Sequence, residues 1–155
     1  MIFHLSIAAE RPQHVAEILA EIWGGRAFPF PPFGGSWIAF AGDDRNSAIE
    51  VYPLGNELVA GTDEVKMRPN AAIPAGTATH VAIATPLTEE AVLAIGRREG
   101  WTAMTCNRGP FRVIELWIEG RVLAEVLTAE MQQEYLASMT PANWQAMMAA
   151  GAVNR

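Results

Sequence analysis

Two short stretches of the chain alternate in the same way. In Phe3-His4-Leu5-Ser6-Ile7-Ala8-Ala9 a histidine and two small residues (His4, Ser6, Ala8) fall on one side and aliphatic residues on the other. Thr79-His80-Val81-Ala82-Ile83-Ala84-Thr85 repeats the arrangement with His80, Ala82 and Ala84. Period-two alternation predicts a β-strand at each. A histidine backed only by small residues suggests the wall of a cavity.

The segments after these two strands repeat as well. Pro12 suits a first helical turn, and Val15, Ile18, Leu19 and Ile22 recur at helical spacing, so residues 12–23 read as an amphipathic helix stopped by Gly24-Gly25. The apolar stretch 26–35 is too rich in proline and glycine for a central strand and reads as an edge strand or loop. Strands are then predicted over 36–41 and 47–52, joined by the turn residues Gly42-Asp43-Asp44-Arg45-Asn46 and ended by Pro53. After the second histidine strand, Thr88 caps a helix with Glu89 and Glu90 in its first turn and Gly100 at its end. Strands over 101–106, 111–118 and 121–127 complete the second copy, the last two joined through Gly120.

The reading is therefore two tandem βαβββ modules, at 1–53 and 79–128, separated by an aperiodic linker at 54–78 and followed by a helical tail at 129–155. Within the tail, Ser138 or Thr140 with Pro141 starts a helix bearing Trp144, Met147 and Met148, an apolar set expected to dock on the domain or on a partner subunit. The class is α+β.

Composition narrows the partners. Half of the residues are hydrophobic, enough for a substantial core, and a net charge of −6 with no basic run disfavours nucleic acid and anionic membranes. No signal peptide or membrane span is expected, and the single Cys106 agrees with a reducing cytoplasm. A small-molecule ligand fits best.

The duplication also pairs two polar residues per module. Ile49-Glu50-Val51 and Ala124-Glu125-Val126 hold equivalent places on the last strands, so His4 and Glu50 correspond to His80 and Glu125. Two carboxylates in one cavity would repel and pay for desolvation, and a divalent cation among two imidazoles and two carboxylates removes both objections. Such a donor set suits Zn, Ni, Fe, Mn or Co, one ion per site.

Paired modules with His, Glu, His and Glu at these places resemble the vicinal oxygen chelate superfamily of glyoxalases, bleomycin-resistance proteins and extradiol dioxygenases, over roughly residues 1–128. The ligand pattern is most similar to bacterial glyoxalase I, although the acidic Pro-Asp-Gly hairpin of many members is replaced by Ile118-Glu119-Gly120-Arg121. The resemblance implies a curved sheet around a cavity and a metal held by His4, Glu50, His80 and Glu125. It further implies a lyase or isomerase acting on a small α-oxo or vicinal-dioxygen substrate through a metal-stabilised oxyanion, with Glu125, or else Glu50, as the base, and a homodimer. The alternatives are a metal-free binding protein like those of bleomycin resistance and an Fe(II) extradiol-type dioxygenase.

Other residues enter as weaker candidates. Glu115 is either a cavity acid or part of a solvated face, and the matching parity of Glu119 favours the second. Arg108 and Arg112 flank a turn from which they could hold a substrate carboxylate. His14 is expected at the surface, Cys106 has no neighbouring base to activate it, and Phe28–Phe33 is expected in packing or a dimer contact rather than as a lid.

Overall fold

The computed structural model describes residues 2–73 and 75–149. Met1, Pro74 and the last part of the expected tail, 150–155, lie outside the described residues.

The chain runs β1 (His4–Ala9), α1 (Pro12–Trp23), β2 (Arg26–Pro29), β3 (Trp37–Phe40) and β4 (Ala48–Pro53), then β5 (Asn56–Ala60) and β6 (Val65–Pro69). The second copy comes next as β7 (His80–Ala84), α2 (Glu89–Glu99), β8 (Thr102–Asn107), β9 (Arg112–Ile118) and β10 (Val122–Leu127), with α3 (Ala129–Ser138) and α4 (Pro141–Ala149) behind it. Each copy forms a four-stranded sheet, in the order β1-β4-β3-β2 and β7-β10-β9-β8. The histidine strand lies at one edge of each sheet, parallel to its neighbour, and the other pairings are antiparallel.

Local chemistry sets the helix limits. Pro12 opens α1, and Gly24 closes it in the left-handed region with φ of 68°. Thr88 accepts the backbone N–H of Ala91 at the start of α2, and Gly100 ends that helix with the same φ of 68°. Both helices cover one side of their sheets, so the aliphatic residues of the strands (Ile7, Ile49 and Val51; Ile83, Ala124 and Val126) join α1 and α2 in a single buried core. Gly96 lets α2 settle onto β8, because a Cβ there would stand 2.4 Å from the Ala103 Cβ.

Polar bonds tie the copies together. The Thr85 hydroxyl donates to the Ile22 carbonyl at the end of α1, His14 Nε2 lies 2.5 Å from Glu99 Oε2, and Arg98 forks onto Glu21. His14 is thus half-buried against α2 rather than a plain surface residue. Glu119 accepts the backbone N–H groups of Glu10 and Arg11. The histidine side of each sheet is left facing away from the helices.

Two elements differ from the sequence expectation. The linker contains the β5–β6 hairpin, whose alternation is hard to see because Leu58, Val59 and Ala60 run together in β5, while Glu57 and Arg68 pair across it at 2.7 Å. The tail has an additional helix, α3, capped by Thr128 and burying only Met131 fully. Its position comes from tertiary bonds, Arg112 to Glu134 at 2.5 Å and an edge-on contact of Phe111 with Tyr135. The stretch 26–29 is an edge strand, and α4 exposes Trp144 and Met148.

Candidate functional site

Strand register puts the paired residues of each copy on the side of the sheet away from the helix. In the first copy Ser6 stands opposite Glu50, with His4 one pleat earlier on the same face. The Ser6 hydroxyl donates to Glu50 Oε2 at 3.0 Å and the Tyr52 hydroxyl donates to the same oxygen at 2.6 Å. The other oxygen, Oε1, lies 3.8 Å from His4 Nε2, and the glutamate is 12% exposed against 59% for the histidine.

Tyr52 is held in place by the rings of Phe30 and Phe33, whose centroids are 6.2 and 5.5 Å from its own. The proline-rich segment therefore packs on the site's edge through these two rings. Burial, reinforced by the adjacent carboxylate, pushes the Tyr52 phenol up to about 12. It remains a donor across the physiological range.

In the second copy Ala82 stands opposite Glu125, and Glu125 stands opposite Glu115. Two carboxylates facing each other across a ladder repel. Arg108, from the β8–β9 turn, relieves this by donating to Glu115 Oε1 at 2.5 Å and to Glu125 Oε1 at 2.9 Å. Trp117 Nε1–H donates to Glu115 Oε2 at 3.1 Å. The indole and the guanidinium together hold the Glu115 carboxyl below the usual carboxylate range, and the two acids raise Arg108 further above its already high value. Both acids are largely buried, Glu115 at 15% and Glu125 at 13% side-chain exposure. Glu115 is a largely buried, ion-paired acid rather than part of a solvated face. Cys106 lies beside it, its thiol pushed up by burial and by the Glu115 charge, so it stays protonated and is a poor nucleophile.

The four expected metal ligands are brought together only in part. His4 meets Glu50, while Glu125 meets Arg108, and His80 is exposed with Nδ1 3.5 Å from the Ala78 carbonyl. Among the described residues no three His, Cys, Asp or Glu side chains converge as a metal would need. His4 and Glu50 offer one nitrogen and one oxygen donor to a divalent ion, whereas Glu125 is already held by Arg108.

The histidine strands also border a cleft of about 600 Å³, lined by His4, Leu5 and Trp23 from the first copy and by Ala82, Ala84 and Thr85 from the second. A second cavity of about 240 Å³ lies between Ser6 and Ala8 of β1 and the chain after β6, with Asn70 and Ile73 in its wall. Strand patterns alone rank Glu115 and Arg108 as minor candidates. A signal for both is nevertheless present in the chain: a hairpin centred on Gly120 sets Glu115 opposite Glu125, and two facing acids need a cation.

Two βαβββ modules, each forming a four-stranded sheet of this order, make up the vicinal oxygen chelate fold. The chain has that fold. Solved structures share it: FosX, a fosfomycin resistance protein from Listeria monocytogenes, matches with a TM-score of 0.55 at 10% identity, over 86% of this chain and 97% of that one. The fosfomycin resistance protein FosX from Mesorhizobium loti matches with a TM-score of 0.52 at 11% identity, over 81% and 89%. A glutamine variant of the Listeria protein, complexed with Mn(II) and 1S,2S-dihydroxypropylphosphonic acid, matches with a TM-score of 0.50 at 13% identity, over 81% and 87%. No protein-family model matches the sequence. No curated protein matches it either.

Proposed function

We propose that the protein is a metal-dependent lyase or isomerase of the glyoxalase type, acting on a small α-oxo or vicinal-dioxygen substrate on the histidine side of its sheets. The observation that carries this reading is the repeated register. Ser6 faces Glu50 and Ala82 faces Glu125, so each copy sets a histidine one pleat from a glutamate on the same face. A repeated fold preserves its buried aliphatic pattern for packing, but packing makes no demand for the same imidazole and carboxylate twice. The Mn(II) complex of the FosX variant supports a metal in this kind of fold.

His4, Glu50, His80 and Glu125 would hold one divalent ion, of the Zn, Ni, Fe, Mn or Co group. When bound, the ion supplies Lewis-acid stabilisation of a developing oxyanion on the substrate. The chain's own residues then handle the proton. Glu50 is the better placed base: Ser6 and Tyr52 fix Oε2, which leaves Oε1 aimed along one direction, whereas Arg108 occupies Oε1 of Glu125. The Tyr52 hydroxyl, protonated at neutral pH, keeps Glu50 in a single rotamer through the transfer. A homodimer belongs to the same reading, since the His80 face and the apolar residues of α4 are open in the single chain.

Metal analysis of untreated protein tests the proposal. The expected result is about one divalent ion per site, lost in His80→Ala and in Glu125→Ala, and retention of metal by both variants would refute the ligand set. A second reading, a metal-free binder of a small molecule in the same cavity, is favoured by one observation: Glu125 and Glu115 already have a cation in Arg108. Metal-free wild-type protein that binds ligand in its cavity would establish it.

A further inference from the structure

The β5–β6 hairpin faces the side of β1 and β4 that carries Glu50, and a slot of about 190 Å³ lies between them. Ser6, Ala8 and Tyr52 line it from the sheet, Leu58 and Met67 from the hairpin. Ser6 stands opposite Glu50 and Ala8 opposite Tyr52, so the slot begins beside the glutamate and runs one pleat, about 7 Å, along the strands. The polar groups in its wall are already engaged. The Ser6 and Tyr52 hydroxyls donate to Glu50, the Asn56 amide donates to the Pro53 carbonyl, and Glu57 accepts from Arg68 and Asn70. What remains for a ligand is apolar: Ala8, the ring of Tyr52, and Leu58 with Met67, which are cross-strand partners. The hairpin is anchored at its base, where the Leu54 N–H donates to the Ala9 carbonyl and the Asn70 N–H to the Gly55 carbonyl, each at 2.8 Å. Leu58 is nonetheless 44% exposed, an apolar side chain that a two-stranded ribbon cannot cover by itself.

We propose that this slot selects the substrate: it takes a single ring, or an alkyl group of that size, on a neutral molecule whose vicinal oxygens lie toward Glu50, with Leu58 and Met67 as specificity-determining residues. The inference rests on the proposed function and adds the apolar half of the substrate. Size sets the first limit. An apolar cavity of about 150 Å³ takes up benzene, so a slot of about 190 Å³ accommodates one ring with little to spare. Charge sets the second. Glu57 in the lining and Glu50 beside it are carboxylates, and no Lys or Arg side chain lines the slot among the described residues, so an anionic group would be repelled there. A ring joined directly to oxygen-bearing carbons reaches from Tyr52 back to Glu50 within the one pleat that separates them.

The test compares 2-hydroxyacetophenone with hydroxyacetone, two neutral ketones that present the same vicinal oxygens with and without a ring. Nuclear magnetic resonance titration of the purified protein gives both affinities for wild type, for Leu58→Ala combined with Met67→Ala, and for Ala8→Leu, with thermal unfolding to show that each variant is folded. Wild type should bind the aromatic ketone about tenfold or more tightly, and the ring should shift the Met67 methyl signal. The double truncation removes the slot's outer wall and Ala8→Leu fills its floor, so each should cut the preference to about twofold or less. Equal affinities in wild type, no binding of either ketone, or a preference unchanged in the variants overturns the slot. Running each titration with and without Mn(II) separates the two readings. A ring preference in protein that takes up no Mn(II) leaves the slot standing and removes metal dependence, and Mn(II) uptake without a ring preference does the reverse.

Discussion

Glu115 and Glu125 face each other across the β9–β10 ladder and share one oxygen each with the guanidinium of Arg108. Their closeness depends on a cation lying between them, which makes this row of the second sheet sensitive to charge.

Acid should expose that sensitivity. Glu115 titrates below its ordinary value in the folded chain because Trp117 and Arg108 bond its carboxylate. A depressed folded value means that the stabilisation is present above the unfolded value of 4.5 and is lost as pH falls through the folded one. Wild-type protein should thus lose more stability than Glu115→Gln on going from about pH 5 to about pH 3. Urea unfolding at several pH values measures the difference, and parallel curves for the two proteins would contradict it.

At the other extreme, Tyr52 should make the fold sensitive to alkali. Its raised folded value, about 12, means that its contribution is complete below the ordinary 10 and fades as pH rises toward 12. Tyr52→Phe should lose less stability than wild type over that interval. Far-ultraviolet circular dichroism recorded against pH would show it.

The two glutamates should separate kinetically if Glu50 is the base. Once a substrate is in hand, Glu50→Gln should lower kcat by about a hundredfold or more, with KM little changed, as general-base removal does. Ser6→Ala and Tyr52→Phe, which only loosen Glu50, should cost less. A larger kcat loss in Glu125→Gln than in Glu50→Gln, with metal content shown to be equal in the two variants, would reverse the assignment.

Gly96 offers a test of packing without chemistry. Glycine to alanine in the middle of a helix usually stabilises by about 1 kcal/mol, but here the new methyl would press on Ala103, 2.4 Å away. Gly96→Ala should instead destabilise, by about 1–3 kcal/mol as overpacking does. Adding Ala103→Gly should recover part of the loss in thermal unfolding.

Much of this architecture is legible in residue order. The limits of α1 and α2 are set by Pro12, Thr88, Gly24 and Gly100, and the strands by alternation, because each signal is local and acts within a turn or a pleat. The repeat itself shows in the likeness of the two histidine strands. The β5–β6 hairpin and α3 are not legible, since Leu58, Val59 and Ala60 run together without alternation and α3 buries only Met131 fully; pairing and docking hold them instead.

The candidate site divides along the same line. The sequence by itself determined that His4 corresponds to His80 and Glu50 to Glu125, because the repeat is read from position in the chain, while the parallel pairing of β1 with β4 and of β7 with β10 set each histidine and glutamate on one face. Tertiary structure alone decided what each carboxylate meets: Ser6 and Tyr52 at Glu50, Arg108 at Glu125. Those bonds depend on distances across the sheet and on how far a turn side chain folds back, and no pattern within a single strand carries that information.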